Sequence, residues 1–200
     1  VFPGDFKNGE GISGAPITGQ KLKSLTEDAI FDYWVNSKTG DIYYLNAAGQ
    51  VLQLSGDSPE LVNSQTLPKL NQISASSDGT YAVAKFNYPA LPTFSIFDTV
   101  TNSWQPLPPN TIAAGWSPNG PEIAYVDDKA LKIFNLASKK TNEVIKLTQK
   151  ELGLHWRKDS RLLISSASGP AAKILILDPK NKTLLPFLEE NGLIINWALD

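Results

Sequence analysis

The sequence predicts an all-β protein, a β-propeller built of four-stranded blades with a period of about 41 residues. Three observations predict it. Trp34, Ala75, Trp116, Trp156 and Trp197 are separated by 41, 41, 40 and 41 residues, and four of them are tryptophan in a chain with only five. Nine residues before each stand Leu25, Thr66, Leu107, Leu147 and Leu188, a second column in phase. Just after the marker come the polar turns Ser76 to Gly79, Ser117 to Gly120 and Arg157 to Ser160. Asp, Asn and Gly suit such turns because they tolerate left-handed backbone angles or bond to their own backbone. No stretch has helical periodicity long enough to compete.

Each unit then reads as four strands. The innermost strands cover Ile30 to Trp34, Asn71 to Ala75, Thr111 to Gly115 and Gly153 to His155. Apolar or β-prone runs follow the turns: Asp41 to Leu45 after the longer turn Asn36 to Gly40, then Tyr81 to Phe86, Glu122 to Val126 and Arg161 to Ser165. Third strands are expected at Phe94 to Asp98, Leu131 to Asn135 and Ile174 to Asp178, each ending in Asp or Asn before a polar turn. The outermost strands are Trp104 to Leu107, Val144 to Leu147 and Leu184 to Phe187. Short strands bounded by Gly, Pro, Asn and Asp make an up-and-down blade. The proline-rich stretches Tyr88 to Pro92 and Pro106 to Pro109 read as a hairpin loop and an inter-blade connection, where proline stops edge pairing.

The blades are expected at about residues 27–70, 71–109, 110–148 and 149–190, with the next beginning in 191–200. The ring is thus expected to be incomplete, with four blades plus the first strand of a fifth. Residues 1–19 hold five glycines and two prolines and read as a linker or N-terminal arm. Gln20 to Thr26 has the phase of an outermost strand and is expected to complete the last blade of a full ring. The chain starts at Val1 and lacks methionine, so it is expected to be a piece of a longer protein, with room for a membrane anchor upstream. No apolar run approaches the ~18 residues needed to span a bilayer.

The third unit carries a resemblance. Ser74 to Gly79, and Gly115 to Gly120 followed by Ile123, Ala124 and Tyr125, resemble the Trp-Ser-Pro-Asp-Gly-x-x-Ile-Ala-Tyr/Phe consensus of TolB-like propeller repeats. The third unit matches best, the second lacks the tryptophan, and the fourth, His155 to Ser160, departs at Ser, Pro and Gly. The resemblance covers about Leu22 to the end. It implies a bacterial, extracytoplasmic protein of the periplasm or cell surface. The function it implies is non-enzymatic: a binding or scaffold module that contacts a protein or surface polymer through loops on one face. Prolyl-oligopeptidase-like serine peptidases carry a similar propeller, so the rival reading is a substrate-gating domain whose catalytic partner lies outside this chain. A polysaccharide-processing channel would need acids on the inner strands, and Asp32 is the one such residue there.

Formal charge is −2 overall. Residues 1–100 hold 6 basic and 10 acidic residues, and residues 101–200 hold 12 and 10. No strong basic stripe marks a nucleic-acid surface, and Lys139, Lys140, Lys146, Lys180 and Lys182 read as solvated turns and outer strands. The absence of cysteine excludes disulfides, thiolate metal sites and cysteine nucleophiles. No cofactor is expected and no catalytic, cofactor-binding or metal residue is assigned. His155, the one histidine, has no nucleophile elbow near it. Asp127-Asp128 and Glu189-Glu190 are paired acids read as charged hairpin tips. Trp34, Trp116, Trp156 and Trp197, with the turn residues Asp78, Asn119 and Asp159, are expected to be structural repeat positions, the tryptophans filling the wedge between blades.

Overall fold

The computed structural model describes residues 24, 26–27, 29–55, 58–127, 130–147, 152–166 and 171–191. The expected linker, most of the expected ring-closing strand (Gln20 to Lys23 and Leu25) and Trp197 to Asp200 lie outside the described residues.

Among the described residues sixteen strands form four antiparallel sheets, each paired in chain order. The first blade is β1 (Ile30–Val35), β2 (Ile42–Asn46), β3 (Val51–Ser55) and β4 (Ser58–Asn63). The second is β5 (Gln72–Ala75), β6 (Tyr81–Phe86), β7 (Thr93–Asp98) and β8 (Ser103–Pro106). The third is β9 (Ala113–Trp116), β10 (Glu122–Val126), β11 (Ala130–Asn135) and β12 (Lys140–Lys146). The fourth is β13 (Leu152–Trp156), β14 (Leu162–Ser166), β15 (Ala171–Asp178) and β16 (Thr183–Asn191). The outer strand β12 begins at Lys140, ahead of the expected Val144, because the polar segment Lys140 to Glu143 pairs with Lys132 to Asn135. Strands β3 and β4 are the third and fourth strands expected within residues 27–70, at positions the sequence reading did not specify.

Antiparallel order sorts the loops. In every blade the first and third strands end on one face of the molecule, called here the turn face, and the second and fourth end on the opposite face. The loop at 87–92 and the segment at 107–112 belong to this second face.

Among the described residues the core falls into three clusters, each shared by two consecutive blades. Trp34, Tyr43, Leu45 and Val51 meet Ile73, Ala82 and Phe97 between blades one and two. Val83, Phe94, Ile96 and Leu107 meet Ile123, Tyr125 and Phe134 between blades two and three. Ala124, Val126, Leu131 and Val144 meet Trp156, Leu162, Ile164 and Leu177 between blades three and four. Each buried aliphatic or aromatic side chain contributes roughly 1.5–3 kcal/mol, so these walls supply most of the free energy that holds the sheets together.

The tryptophan column needs one correction. Each innermost turn is closed by a backbone N–H: Asn36 to the Asp41 carbonyl, Ser76 to Tyr81, Ser117 to Glu122 and Arg157 to Arg161. These bonds align Val35, Ala75, Trp116 and Trp156. Trp34 is one residue out of phase and aligns instead with Ser74, Gly115 and His155. A one-residue step along a strand reverses the face a side chain takes. Trp116 and Trp156 therefore face the preceding blade, and their Nε1 atoms donate to the carbonyls of Ser74 at 2.8 Å and Gly115 at 3.1 Å. Trp34 faces the following blade, stacked on Tyr43 and edge-on to Phe97. Its buried Nε1 has no hydrogen-bond partner among the described residues.

Gly79 shows how closely one blade's turn approaches its predecessor. Its φ is +69°, and a Cβ placed there would come within 1.8 Å of the Val35 carbonyl oxygen. Gly79→Ala is expected to cost roughly 3 kcal/mol or more. Gly120→Ala, at φ +117° with open space around the Cβ, is expected to cost about 1 kcal/mol. Urea unfolding of the two variants checks the difference. A second comparison tests the tryptophan phase. Trp156→Phe leaves the Gly115 carbonyl without its indole donor, whereas Trp34→Phe removes a donor that has no acceptor. Trp156→Phe is expected to be the more destabilising by about 1 kcal/mol, and equal losses would overturn the assigned phase.

Candidate functional site

The turn face between blades three and four holds a cleft of about 660 Å³. Its floor is apolar: Ile133 and Val144 from blade three, Trp156 from blade four, and Pro179. Its polar lining comes from Ser117 and Asn119 in the first turn of blade three, Glu122 at the start of β10, Thr141 to Glu143 of β12, and Ser160, Lys180 and Lys182 in the turns of blade four. Two turns from consecutive repeats thus frame one opening. The hydrogen bond from Asn119 Nδ2 to Ser160 Oγ at 2.9 Å ties them across the mouth. Lys182, at φ +53°, reaches back and donates from Nζ to the Glu143 carbonyl at 3.3 Å.

That reach recurs. Lys139, at φ +55°, donates from Nζ to Gln105 Oε1 at 3.4 Å, and the Asn102 carbonyl, at φ +50°, accepts from Asn63 Nδ2 at 2.9 Å. In each case the left-handed residue of a blade's last turn contacts the outermost strand of the blade before. The sequence reading treated Lys139 and Lys182 as solvated charges. Their sequence neighbours carry no sign of the tether, because a left-handed lysine looks like any other lysine in a polar turn.

The turn residues Asp78, Asn119 and Asp159 do occupy equivalent places, but they do different work. Asp78 joins blades one and two: its carboxylate lies 2.7 Å from Lys38 Nζ. It also accepts from the Ser76 hydroxyl at 2.8 Å and the Thr80 N–H at 3.0 Å. Burial favours the protonated acid, but Lys38, Thr80 and Ser76 together outweigh it and hold Asp78 well below the ordinary carboxylate range. Asn119 joins blades three and four. Asp159 turns inward on its own loop, where Arg161 binds it and lowers its pKa.

The remaining candidates resolve as follows. Trp34 and Trp156 are buried and Trp116 is half-buried, so these three present no ring of exposed aromatic faces; Trp197 lies outside the described residues. His155 is half-buried in β13, paired in register with Leu163. Asp127 is not a solvated hairpin tip: it is buried, accepts from the Ala130 N–H at 2.9 Å, and lies 2.6 Å from Lys132 Nζ. Asp128 lies outside the described residues. Glu189 and Glu190 correct the hairpin-tip reading too, because both stand within β16 opposite Lys173 and Ala172. They are thrown to alternate faces, with Glu189 2.8 Å from Lys173 Nζ. Asp32 is exposed and caps the N–H of Tyr33. Among the described residues no group of three or more His, Cys, Asp or Glu side chains could hold a metal ion. No helix there is long and apolar enough to cross a membrane.

No family model and no curated protein matches the sequence. Solved structures do match in fold. TolB from Acinetobacter baumannii superposes with a TM-score of 0.52 at 16% identity, covering 84% of this chain and 46% of that one. An oligogalacturonate lyase in complex with manganese gives 0.55 at 14% identity, covering 83% and 55%. The S511A mutant of puromycin hydrolase, complexed with PGG, gives 0.53 at 15%, covering 78% and 30%. The four sheets described here are therefore blades of a β-propeller. In fold the propeller is similar to TolB. The chain spans about half or less of the length of these structures.

The Asp78 environment fixes a pH dependence. The folded-state pKa is lowered, so the stabilisation is present above the unfolded value of about 4 and is lost as pH falls below it toward the folded value. Melting temperatures of the wild type and Asp78→Asn, followed from neutral pH into acid, are expected to converge below about pH 4. Curves that stay parallel would remove the Lys38–Asp78 contact as the cause.

Proposed function

We propose that this chain is a non-enzymatic binding or scaffold propeller that contacts a protein or cell-envelope polymer through the loops of its turn face, outside the cytoplasm. The observation that carries this reading is the cleft between blades three and four. Its rim offers amides and hydroxyls from Asn119, Asn142 and Ser160, with both charge signs from Glu143, Lys180 and Lys182. Its floor offers apolar surface from Ile133, Trp156 and Pro179. A backbone-rich, mixed-polarity ligand such as an extended peptide or a sugar chain presents the matching groups. The loops that supply the rim are short and tethered to the neighbouring blade, so the cleft needs little ordering on binding. Extracytoplasmic placement and a bacterial source rest on the TolB-like repeat.

A second reading draws on the likeness to puromycin hydrolase. In it the propeller gates substrate for a serine peptidase domain outside this chain, and the turn-face cleft is a wall of the access route.

One experiment separates the two. A photo-crosslinking side chain placed at Asn119 or Lys180 in the parent protein is expected to yield adducts with a separate molecule, and the same group at Ala90 on the opposite face none. Adducts only within the parent polypeptide would favour the gating reading. Equal labelling from Ala90 would overturn the choice of face.

A further inference from the structure

A smaller cavity of about 250 Å³ lies away from the turn face, where the starts of the innermost strands of blades two, three and four converge. Its walls are Gln72, Lys85 and Phe94 from blade two, Ala113 from blade three, and Leu152 and Leu154 from blade four, among others. Lys85 is the one charged side chain that lines it. Cross-strand register sets Gln72 and Phe94 on either side of Lys85. The ammonium lies 5.3 Å from the ring centroid of Tyr88 and 5.9 Å from that of Phe94. No ion pair among the described residues includes it.

The two aromatic faces attract the ammonium without neutralising it. Their rings hold the side chain in one place, and the positive charge stays available to a ligand. A carboxylate is the natural counterpart: one oxygen takes a charge-assisted bond from Lys85, and the Gln72 amide offers a second N–H nearby. Among the other lining residues, Ile112, Ala113, Ala114, Leu152 and Leu154 are aliphatic and give a hydrocarbon stem apolar partners. A bare inorganic anion would leave those walls without a partner.

We propose that this cavity is a subsite for a monocarboxylate carried on an aliphatic stem, with Lys85 as the charge contact and the inner strands of blades three and four as the apolar wall. The terminal carboxylate of an apolar peptide and that of a short acyl chain share this chemistry. The site is independent of the turn-face cleft, so it stands or falls apart from the function proposed above.

Calorimetric titration of the full-length protein with hexanoate, hexanamide and inorganic phosphate tests it. Hexanoate is expected to bind at least about tenfold more tightly than hexanamide, and more tightly than phosphate. Lys85→Met, which keeps a straight apolar side chain, is expected to lose the same factor for hexanoate, whereas Lys85→Arg retains binding. N-acetyl-leucine and hexanoate competing for one site would show that peptide and acyl sources are both accepted. Hexanamide binding as well as hexanoate, phosphate binding as tightly as hexanoate, or no heat with hexanoate would each overturn the proposal. Should Lys85→Met unfold, the hexanoate-to-hexanamide ratio on the wild-type chain and the Lys85→Arg variant decide the matter.

Discussion

Everything in this molecule depends on how closely the inner edge of one blade can lie against the next. A four-stranded sheet with two apolar faces is not stable in water by itself; it needs a neighbour on each side. At two of the three described junctions the chain meets that need with the same contact. Trp116 bonds back to the Ser74 carbonyl and Trp156 to the Gly115 carbonyl. Between blades one and two the same junction is made differently: the Ser37 N–H donates to the Asp78 carbonyl at 2.9 Å, and Gly79 is pressed against Val35. Apolar walls supply the free energy, and these polar contacts set the registration of blade on blade.

The geometry at the outer rim follows from that registration. Once the inner strands are fixed, the last turn of each blade arrives within reach of the preceding outermost strand. A left-handed residue there turns the chain so that a side chain or carbonyl meets it. Asn102, Lys139 and Lys182 make this contact with different atoms. The position is repeated although the chemistry is not, which is how a rim built of repeats can vary in ligand-facing groups without loosening. The cleft between blades three and four is framed by the first turns of both blades and by one such last turn, and its polar residues are free to differ from those of the other junctions.

Much of the fold was legible because turns are written in residue type. Ser76 to Gly79 and Ser117 to Gly120 end on glycines at positive φ, Asp78 and Ser117 accept backbone N–H groups of their own turns, and the strands that follow fell where expected. The phase of Trp34 was not legible. A tryptophan one position early looks like the same repeat, yet strand alternation sends it to the opposite wall, and only the turn hydrogen bonds reveal the slip. Asp127 misled for a related reason: a pair of acids at a hairpin reads as solvated, and the salt bridge to Lys132 five residues on is invisible until β11 folds back. The candidate cleft was hidden more deeply. Its rim comes from residues about forty apart in the chain, each unremarkable in its own repeat.

The three core clusters share no residue. Each closes after two blades and asks nothing of the third. A duplication that inserts one more repeat therefore makes one more cluster and leaves the others unchanged. Blade number in such a chain is open to change by recombination at the inter-blade connections, with the main constraint falling on ring curvature rather than on any existing core.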